Sequence, residues 1–286
     1  MHFQWYPGHM TKAKRMMQEN IKLIDVIIEL VDARTPISSK NPDIEQMSQN
    51  KIRVILLNKY DLADENETKK WKKYYEDKGY FTALVNSKSG KGVRAVNGVV
   101  MEACREKIER DRKRGIINRP VRAMIVGIPN VGKSTFINSF AGKACAKTGD
   151  KPGVTKGKQW IRLGKNIELL DTPGILWPKF EDQNVGLRLA LIGSIRDEIL
   201  QIEELAGELI KYLCEEYPAL LNDYLGFAAE GREYEILERY ALRRGCLQKG
   251  SLADTERAAA LIMDDFRGGK IGRITLEKNY IPYERE

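Results

Sequence analysis

The chain has 286 residues and a formal charge of +8, with 48 Lys+Arg against 40 Asp+Glu; that length allows one sizeable domain and a smaller one with ample core. The charge is uneven: residues 1–175 hold 33 Lys+Arg and 19 Asp+Glu, a net of +14, whereas 176–286 hold 15 and 21, a net of −6, so the first part favours a polyanionic partner, nucleic acid before others. The four cysteines are far apart with no C-x-x-C pair, which argues against a zinc site or a disulfide framework, and the lack of any run of about 18 apolar residues or an N-terminal apolar core predicts a cytoplasmic chain with no membrane partner.

The opening stretch sets Trp5, Tyr6, Lys12, Lys14 and Arg15 around the turn Pro7-Gly8, and Met10 to Leu23 has helical composition. Val26 to Val31 is an apolar run suited to a buried strand, delivering Asp32, Ala33 and Arg34 to a loop at its end. Arg53 to Leu57 repeats the pattern and runs straight into Asn58, Lys59, Tyr60 and Asp61. A charged helix is predicted over Asn66 to Asp77, a third strand over Phe81 to Val85, and helix over Val93 to Arg112 before a basic linker with Gly115 and Pro120 as breakers.

Val121 to Val126 is the next strand, and it enters GIPNVGKST, Gly127 to Thr135, with helix from Lys133 onward. Past a polar loop holding Pro152 to Thr155, the runs Gln159 to Leu163 and Ile167 to Leu170 read as a strand hairpin ending at Asp171, Thr172, Pro173 and Gly174. Helical periodicity then takes over, in Ile199 to Leu213, Glu233 to Arg243 and Asp254 to Phe266. The predicted fold is α/β, a doubly wound, mainly parallel sheet over residues 1–178, followed by an all-α domain over residues 179–286.

Gly127 to Thr135 fits the phosphate-loop template in its required strand-to-helix context. Its glycines let successive N–H groups, Val131 and Thr135 included, close around a polyphosphate at a helix N-terminus; Lys133 reaches the outer phosphates and Ser134 ligates Mg2+. In a doubly wound sheet, ligands sit at the carboxyl ends of the strands, and three further loops are predicted there. Asp61 can accept hydrogen bonds from N1–H and the 2-amino group of guanine, a pair that adenine does not offer; Asn58 orients the loop or meets the base edge, and the Lys59 stem covers the base plane. Asn86, Ser87 and Lys88 can meet the guanine O6 through backbone N–H groups. Asp171 can hold the magnesium through water, Gly174 can face a γ-phosphate, and Thr155 can add a hydroxyl to the same metal. The predicted ligand is therefore GTP or GDP with Mg2+.

GIPNVGKS, Thr155, DTPG, NKYD and NSK together resemble the five signature elements of Ras-like GTPases, with the two guanine-reading elements placed first in the chain. That order is similar to the circularly permuted GTPases, and the opening YPGHM, VDARTP and the helical tail resemble most closely the ribosome biogenesis GTPase A, or YlqF, family. The resemblance covers essentially the whole chain. It implies GTP hydrolysis coupled to late assembly of the large ribosomal subunit, with the subunit precursor and its ribosomal RNA as partners and no role for DNA.

One position departs from the Ras pattern: Ile175 follows Gly174 where a water-orienting glutamine is usual, and an isoleucine cannot hydrogen-bond a water. The resemblance implies that His9 orients the attacking water, while the residues alone equally allow His9 to pack or to bind RNA phosphate. It also implies a K+ ion beside the phosphates, held with the help of Asn130, against a plain structural role for that side chain. Ile175 keeps open an alternative, a nucleotide-regulated RNA-binding scaffold with little intrinsic turnover. Because DTPG leads directly into the helical part, γ-phosphate loss is expected to move residues from Ile175 onward. Arg239, Arg243, Arg244 and Lys249, then Arg267, Lys270 and Arg273, are candidates for a basic RNA-facing surface on the otherwise acidic helical domain.

Overall fold

Strand β1 (Val26–Asp32) is buried at all seven positions, as a strand must be when both faces of a parallel sheet are covered. The structure is a computed structural model describing residues 8–48, 50–117, 119–142, 159–163, 166–172, 180, 182–195 and 201–278. Helix α1 (Gly8–Asn20) precedes β1, and α2 (Pro42–Met47), capped by the Asn41 side chain on Asp43 N–H, leads to β2 (Ile52–Asn58). Helix α3 (Glu65–Asp77) starts where the Asp64 carboxylate accepts the N–H groups of Asn66 and Glu67, with Glu65 and Glu67 suiting the positive end of the helix dipole. Strand β3 (Phe81–Val85), helices α4 (Ala95–Ala103) and α5 (Arg105–Lys113), strand β4 (Val121–Gly127), helix α6 (Lys133–Ala141) and strands β5 (Gln159–Leu163) and β6 (Ile167–Asp171) complete the α/β part.

The sheet order is β3-β2-β1-β4-β6-β5. Every pair is parallel except β5 with β6, which form the expected antiparallel hairpin. The register aligns Asp32 with Asn58, Asn58 with Val85, Leu30 with Gly127 and Ile125 with Asp171. The loops that follow four predicted strands and the β5–β6 hairpin therefore emerge on one edge, whatever their order in the chain. Glu29, fully buried in β1, is paired with Arg53 Nη2 at 2.6 Å and accepts the Asn41 N–H, so its charge is compensated.

The single helix expected over Val93–Arg112 is two, α4 and α5, meeting at Cys104 with φ −94 and ψ 7. The ladder continues across the bend, since Cys104 N–H reaches the Val100 carbonyl and Ile108 N–H reaches that of Cys104. The buried side chain of Cys104 sits in the core, and burial pushes its thiol up to about 12.

The C-terminal part is helical: α7 (Gln183–Leu191), α8 (Ile202–Glu216), α9 (Pro218–Leu225), α10 (Glu233–Arg243) and α11 (Thr255–Arg267). Pro218, at the first position of α9, cannot continue α8 and starts a new helix instead. Helix α11 packs on α8 and α10 through Ala258, Ala259, Ile262, Met263 and Phe266, and the core is continuous with that of the sheet. Among the described residues no helix is long and apolar enough to cross a membrane.

Candidate nucleotide-binding site

Strand β4 ends at Gly127, where an added Cβ would lie 2.9 Å from the Leu30 carbonyl oxygen and 3.0 Å from Val131 Cγ1. The loop that follows is thus pressed against β1. Asn130 adopts the left-handed conformation (φ +57), which asparagine tolerates better than most residues. Gly132, at φ +98, precedes the first turn of α6, and a Cβ there would overlap Asn58 Nδ2. Lys133 is buried at the start of α6, with Ser134 and Thr135 half-buried behind it. A cradle that a side chain would fill, a buried lysine and the N–H groups of a helix start together fit a polyphosphate.

Asn58 joins three of the predicted loops. Its Nδ2 donates to the Val131 carbonyl at 2.7 Å, while its Oδ1 accepts from Ser87 N–H at 3.1 Å and Ser87 Oγ at 2.8 Å. Both ends of the amide are thus engaged by protein, the arrangement that the orienting role of the two predicted for this residue requires. Lys59 reaches back from a left-handed backbone (φ +58) to donate to the Asn130 carbonyl at 2.9 Å and lies 3.0 Å from Asp32 Oδ2. Asp61 is exposed, two residues on, in a turn closed by Leu62 N–H on the Lys59 carbonyl. Ser87 is buried and Lys88 exposed. Asn86 shapes its own turn, accepting Ser89 N–H on its side chain and Gly90 N–H on its backbone.

The backbone of Asp171 ends β6 opposite Ile125, and Thr172 Oγ1 donates to the Ile125 carbonyl at 2.6 Å, fixing the start of the DTPG loop to the phosphate-loop strand. The Asp171 side chain, Thr155 and Gly174 lie outside the described residues, as do Ile175 and the His9 side chain; the His9 backbone is in the first turn of α1. The residues on which movement after γ-phosphate loss is expected are described only from Phe180 onward and in part. Asn130 is tied to the helical part: its Nδ2 donates to the Gly193 carbonyl at 2.7 Å, and Ser194 Oγ donates to the Pro129 carbonyl at 3.0 Å.

Two features escape a motif reading. Asp32 is fully buried and forked by Arg34, with Nε to Oδ1 at 2.9 Å and Nη2 to Oδ2 at 2.8 Å. Burial alone raises its carboxyl, but Arg34 and then Lys59 outweigh that and hold it well below the usual carboxylate range. Burial in turn lowers the Lys59 ammonium, against the pull of Asp32. Arg34 continues to the Arg267 carbonyl at 3.4 Å and lies over the Phe266 ring, so the network links Lys59 to α11. An Asp and an Arg two apart at a predicted strand end were the visible signal.

The second feature is the segment after α11, which returns to the loops after β1 and β2. Part of the predicted basic surface is used there. Arg267 donates to the Ala190 and Leu191 carbonyls, Lys270 pairs with Asp265, and Arg273 donates to the Ala63 and Tyr60 carbonyls. Of these three, Arg273 joins the helical part to the α/β part, whereas Arg267 and Lys270 are engaged within the helical part, and the side chains of Lys270 and Arg273 stay exposed. In the other group, Arg239 donates to the Glu230 carbonyl and covers the Phe227 ring, and Arg244 covers Tyr240.

A family profile described as 50S ribosome-binding GTPase matches residues 122–225. Ribosome biogenesis GTPase A of Bacillus cereus is 46% identical over 97% of this chain and 94% of its own length. The protein of the same description from Thermotoga maritima is 33% identical over 96% and 94%, and mitochondrial ribosome-associated GTPase 1 of Mus musculus is 32% identical over 98% and 91%. Among solved structures, GNP-bound YlqF from T. maritima superposes with a TM-score of 0.65 at 30% identity, covering 93% of this chain and 98% of that one.

Proposed function

We propose a function for this chain from one premise: it belongs to the ribosome biogenesis GTPase A family. It is a GTP hydrolase with a P-loop nucleotide site and a role in ribosome biogenesis. We infer further that it docks in the cytoplasm on the precursor of the large ribosomal subunit, through ribosomal RNA, and couples hydrolysis to late assembly. Residues 1–178 form the GTPase domain in this reading and residues 179–286 the helical domain that meets RNA.

Residues 127–135 hold the phosphates, with Lys133 on the outer ones, while Asp61 reads guanine between Lys59 and the Ser87-Lys88 turn. Ser134 and Thr155 ligate Mg2+, Asp171 reaches it through water, and Gly174 meets the γ-phosphate. Magnesium, when bound, supplies positive charge to the phosphoryl oxygens during transfer. His9 orients the attacking water in place of the glutamine that Ile175 replaces, and Asn130 contributes to a K+ site beside the phosphates. The reading is carried by Asn58, whose single amide group binds the phosphate loop at Val131 and the second base-reading loop at Ser87. One nucleotide can therefore touch all three loops.

Calorimetric titration with GDP, a non-hydrolysable GTP analogue and ADP, followed by turnover with and without large ribosomal subunits, tests this reading. Guanine nucleotides are expected to bind and ADP not to, with turnover rising when subunits are added. Equal binding of ADP would refute the base assignment. Turnover that stays negligible with subunits present would favour the scaffold reading that Ile175 suggests.

A further inference from the structure

The segment after α11 closes over the turn that carries Asp61. Arg273 donates from Nε to the Ala63 carbonyl at 3.0 Å and from Nη2 to the Tyr60 carbonyl at 3.2 Å, with Nη1 3.4 Å from Glu65. Ile274 N–H donates to the Leu62 carbonyl at 2.9 Å, and Asp64 N–H donates to Thr275 Oγ1 at 3.1 Å. Three consecutive residues thus bind the backbone of residues 60, 62, 63 and 64. The Asp61 side chain alone is left turned to the exposed side of that turn.

The far end of the segment is anchored as firmly. Leu276 N–H donates to the Arg34 carbonyl at 2.7 Å. The buried Glu277 carboxylate accepts Ile37 N–H at 2.6 Å and Ser38 N–H at 2.8 Å, and Trp71 Nε1 donates to the Glu277 carbonyl. Tyr212 and Tyr217 both place their hydroxyls on the Thr275 carbonyl. The strap is therefore fixed to α8, to the loop after β1 and to α3, which makes it a rigid reference against which the turn can be held.

A carboxylate reading two hydrogen-bond donors on a base needs its backbone fixed to within a fraction of an ångström, because misalignment weakens both bonds together. The turn's internal closure consists of Leu62 N–H on the Lys59 carbonyl at 2.9 Å and Ala63 N–H on the Tyr60 carbonyl at 3.4 Å, and the second of these is long. The guanidinium fork spans the same two carbonyl-bearing residues from outside and compensates for that weak closure. We propose that Arg273 is a positioning residue for the guanine loop: by bridging the carbonyls of Tyr60 and Ala63 it sets Asp61 at the base edge, and so sets the site's preference for a purine with a 2-amino group. This rests on the assignment of Asp61 as the guanine reader, and it makes base selectivity depend on a residue of the helical part.

The test uses the full chain and two probes, GDP and inosine diphosphate, which lacks the 2-amino group and therefore one of the two bonds to Asp61. Dissociation constants are measured for the wild type, Arg273→Ala, Arg273→Gln, Asp61→Ala and the double variant Asp61→Ala/Arg273→Ala, with thermal midpoints as a control on folding. The wild type is expected to prefer GDP, and Arg273→Ala to lower that preference roughly three- to ten-fold, mainly by weakening GDP. Arg273→Gln, which keeps one donor to one carbonyl, is expected between the two and stands in if the alanine variant does not fold. In the Asp61→Ala background Arg273→Ala should change the ratio no further. An unchanged ratio in the single variants, equal weakening of both nucleotides, or an additive loss in the double variant would overturn the inference while Asp61 stands. A wild type indifferent between the two nucleotides would overturn the Asp61 assignment, and the inference with it.

Discussion

Asn58 and Val131 are 73 residues apart in sequence and joined at 2.7 Å, amide nitrogen to carbonyl oxygen, at the seam between β2 and the phosphate loop. The same side chain is buried and holds Ser87 by both its N–H and its hydroxyl. Asn58→Ala would leave the Val131 carbonyl and the Ser87 N–H without that partner in a buried place, at a cost of about 1–3 kcal/mol for each stranded group. Nucleotide affinity should fall together with stability. Urea unfolding and GDP titration of the same variant check this, and an affinity loss without a stability loss would mean that Asn58 meets the base instead.

Gly132 allows that seam to close. With φ at +98 and its α-carbon facing Asn58 Nδ2, it has no room for a methyl group. Gly132→Ala is expected to force Asn58 off the Val131 carbonyl and to strain the backbone by about 1–2 kcal/mol. Binding of guanine nucleotide should drop by at least ten-fold, whereas Gly142→Ala, at a left-handed helix end with nothing near its Cβ position, should carry the backbone cost alone. Comparing the two variants by titration and thermal unfolding separates the clash from the dihedral strain.

Both relationships connect pieces that the sequence shows separately. The strands that end at the site are legible because β1, β2 and β4 are short apolar runs bounded by charged or glycine-rich loops, and the phosphate loop carries its own template. Their juxtaposition is legible only through the rule that loops at the carboxyl ends of parallel strands share an edge. Helix α7 is not legible: it has nine residues with Gly186 inside it, and its C-terminal carbonyls are held by Arg267 from α11. Helix α9 hides behind Pro218, which marks a break without saying that a helix resumes. The Arg273 and Glu277 contacts cross more than 200 residues, and no local pattern encodes them; in the sequence Arg273 reads as part of a basic surface cluster and Glu277 as ordinary surface charge.

The Asp32, Arg34 and Lys59 cluster gives a pH dependence with a definite sign. Asp32 has its folded pKa depressed from 3.8 by the two cations despite burial, so its contribution to stability is fully present above about 4 and is lost as the pH falls through the folded value. Asp32→Asn leaves Arg34 and Lys59 without their buried anion and should destabilise the chain by about 3 kcal/mol at pH 7. Urea unfolding of wild type and variant between pH 7 and pH 3 should give a constant difference down to about pH 4 that narrows below it. A difference that grows on acidification would contradict the pairing.

Asn130 uses its amide nitrogen on Gly193, in the segment between α7 and α8. That bond points the Asn130 side chain toward the helical part and gives it a structural role that competes with, or accompanies, help to a potassium ion. The two are separable. Asn130→Ala should remove any advantage of KCl over NaCl in GTP turnover if the oxygen serves the ion. It should instead raise hydrogen exchange around Gly193 and Ser194, at equal turnover in the two salts, if the nitrogen bond is its whole role.

His9 carries the catalytic proposal because Ile175 has no group that can hold a water. A side chain that orients the nucleophile contributes to the transition state and little to the ground state, so its removal should lower kcat while leaving nucleotide affinity nearly unchanged. His9→Ala is expected to slow GTP hydrolysis by about 100-fold or more, in the range for general acid–base groups, with GDP binding within about two-fold of the wild type and an unchanged thermal midpoint. Single-turnover hydrolysis with bound subunits is the informative measurement, because it bypasses product release. A variant that hydrolyses at the wild-type rate but sediments less with subunits would make His9 an RNA contact, and the attacking water would then have to be oriented by another group, on this chain or on the ribosomal partner.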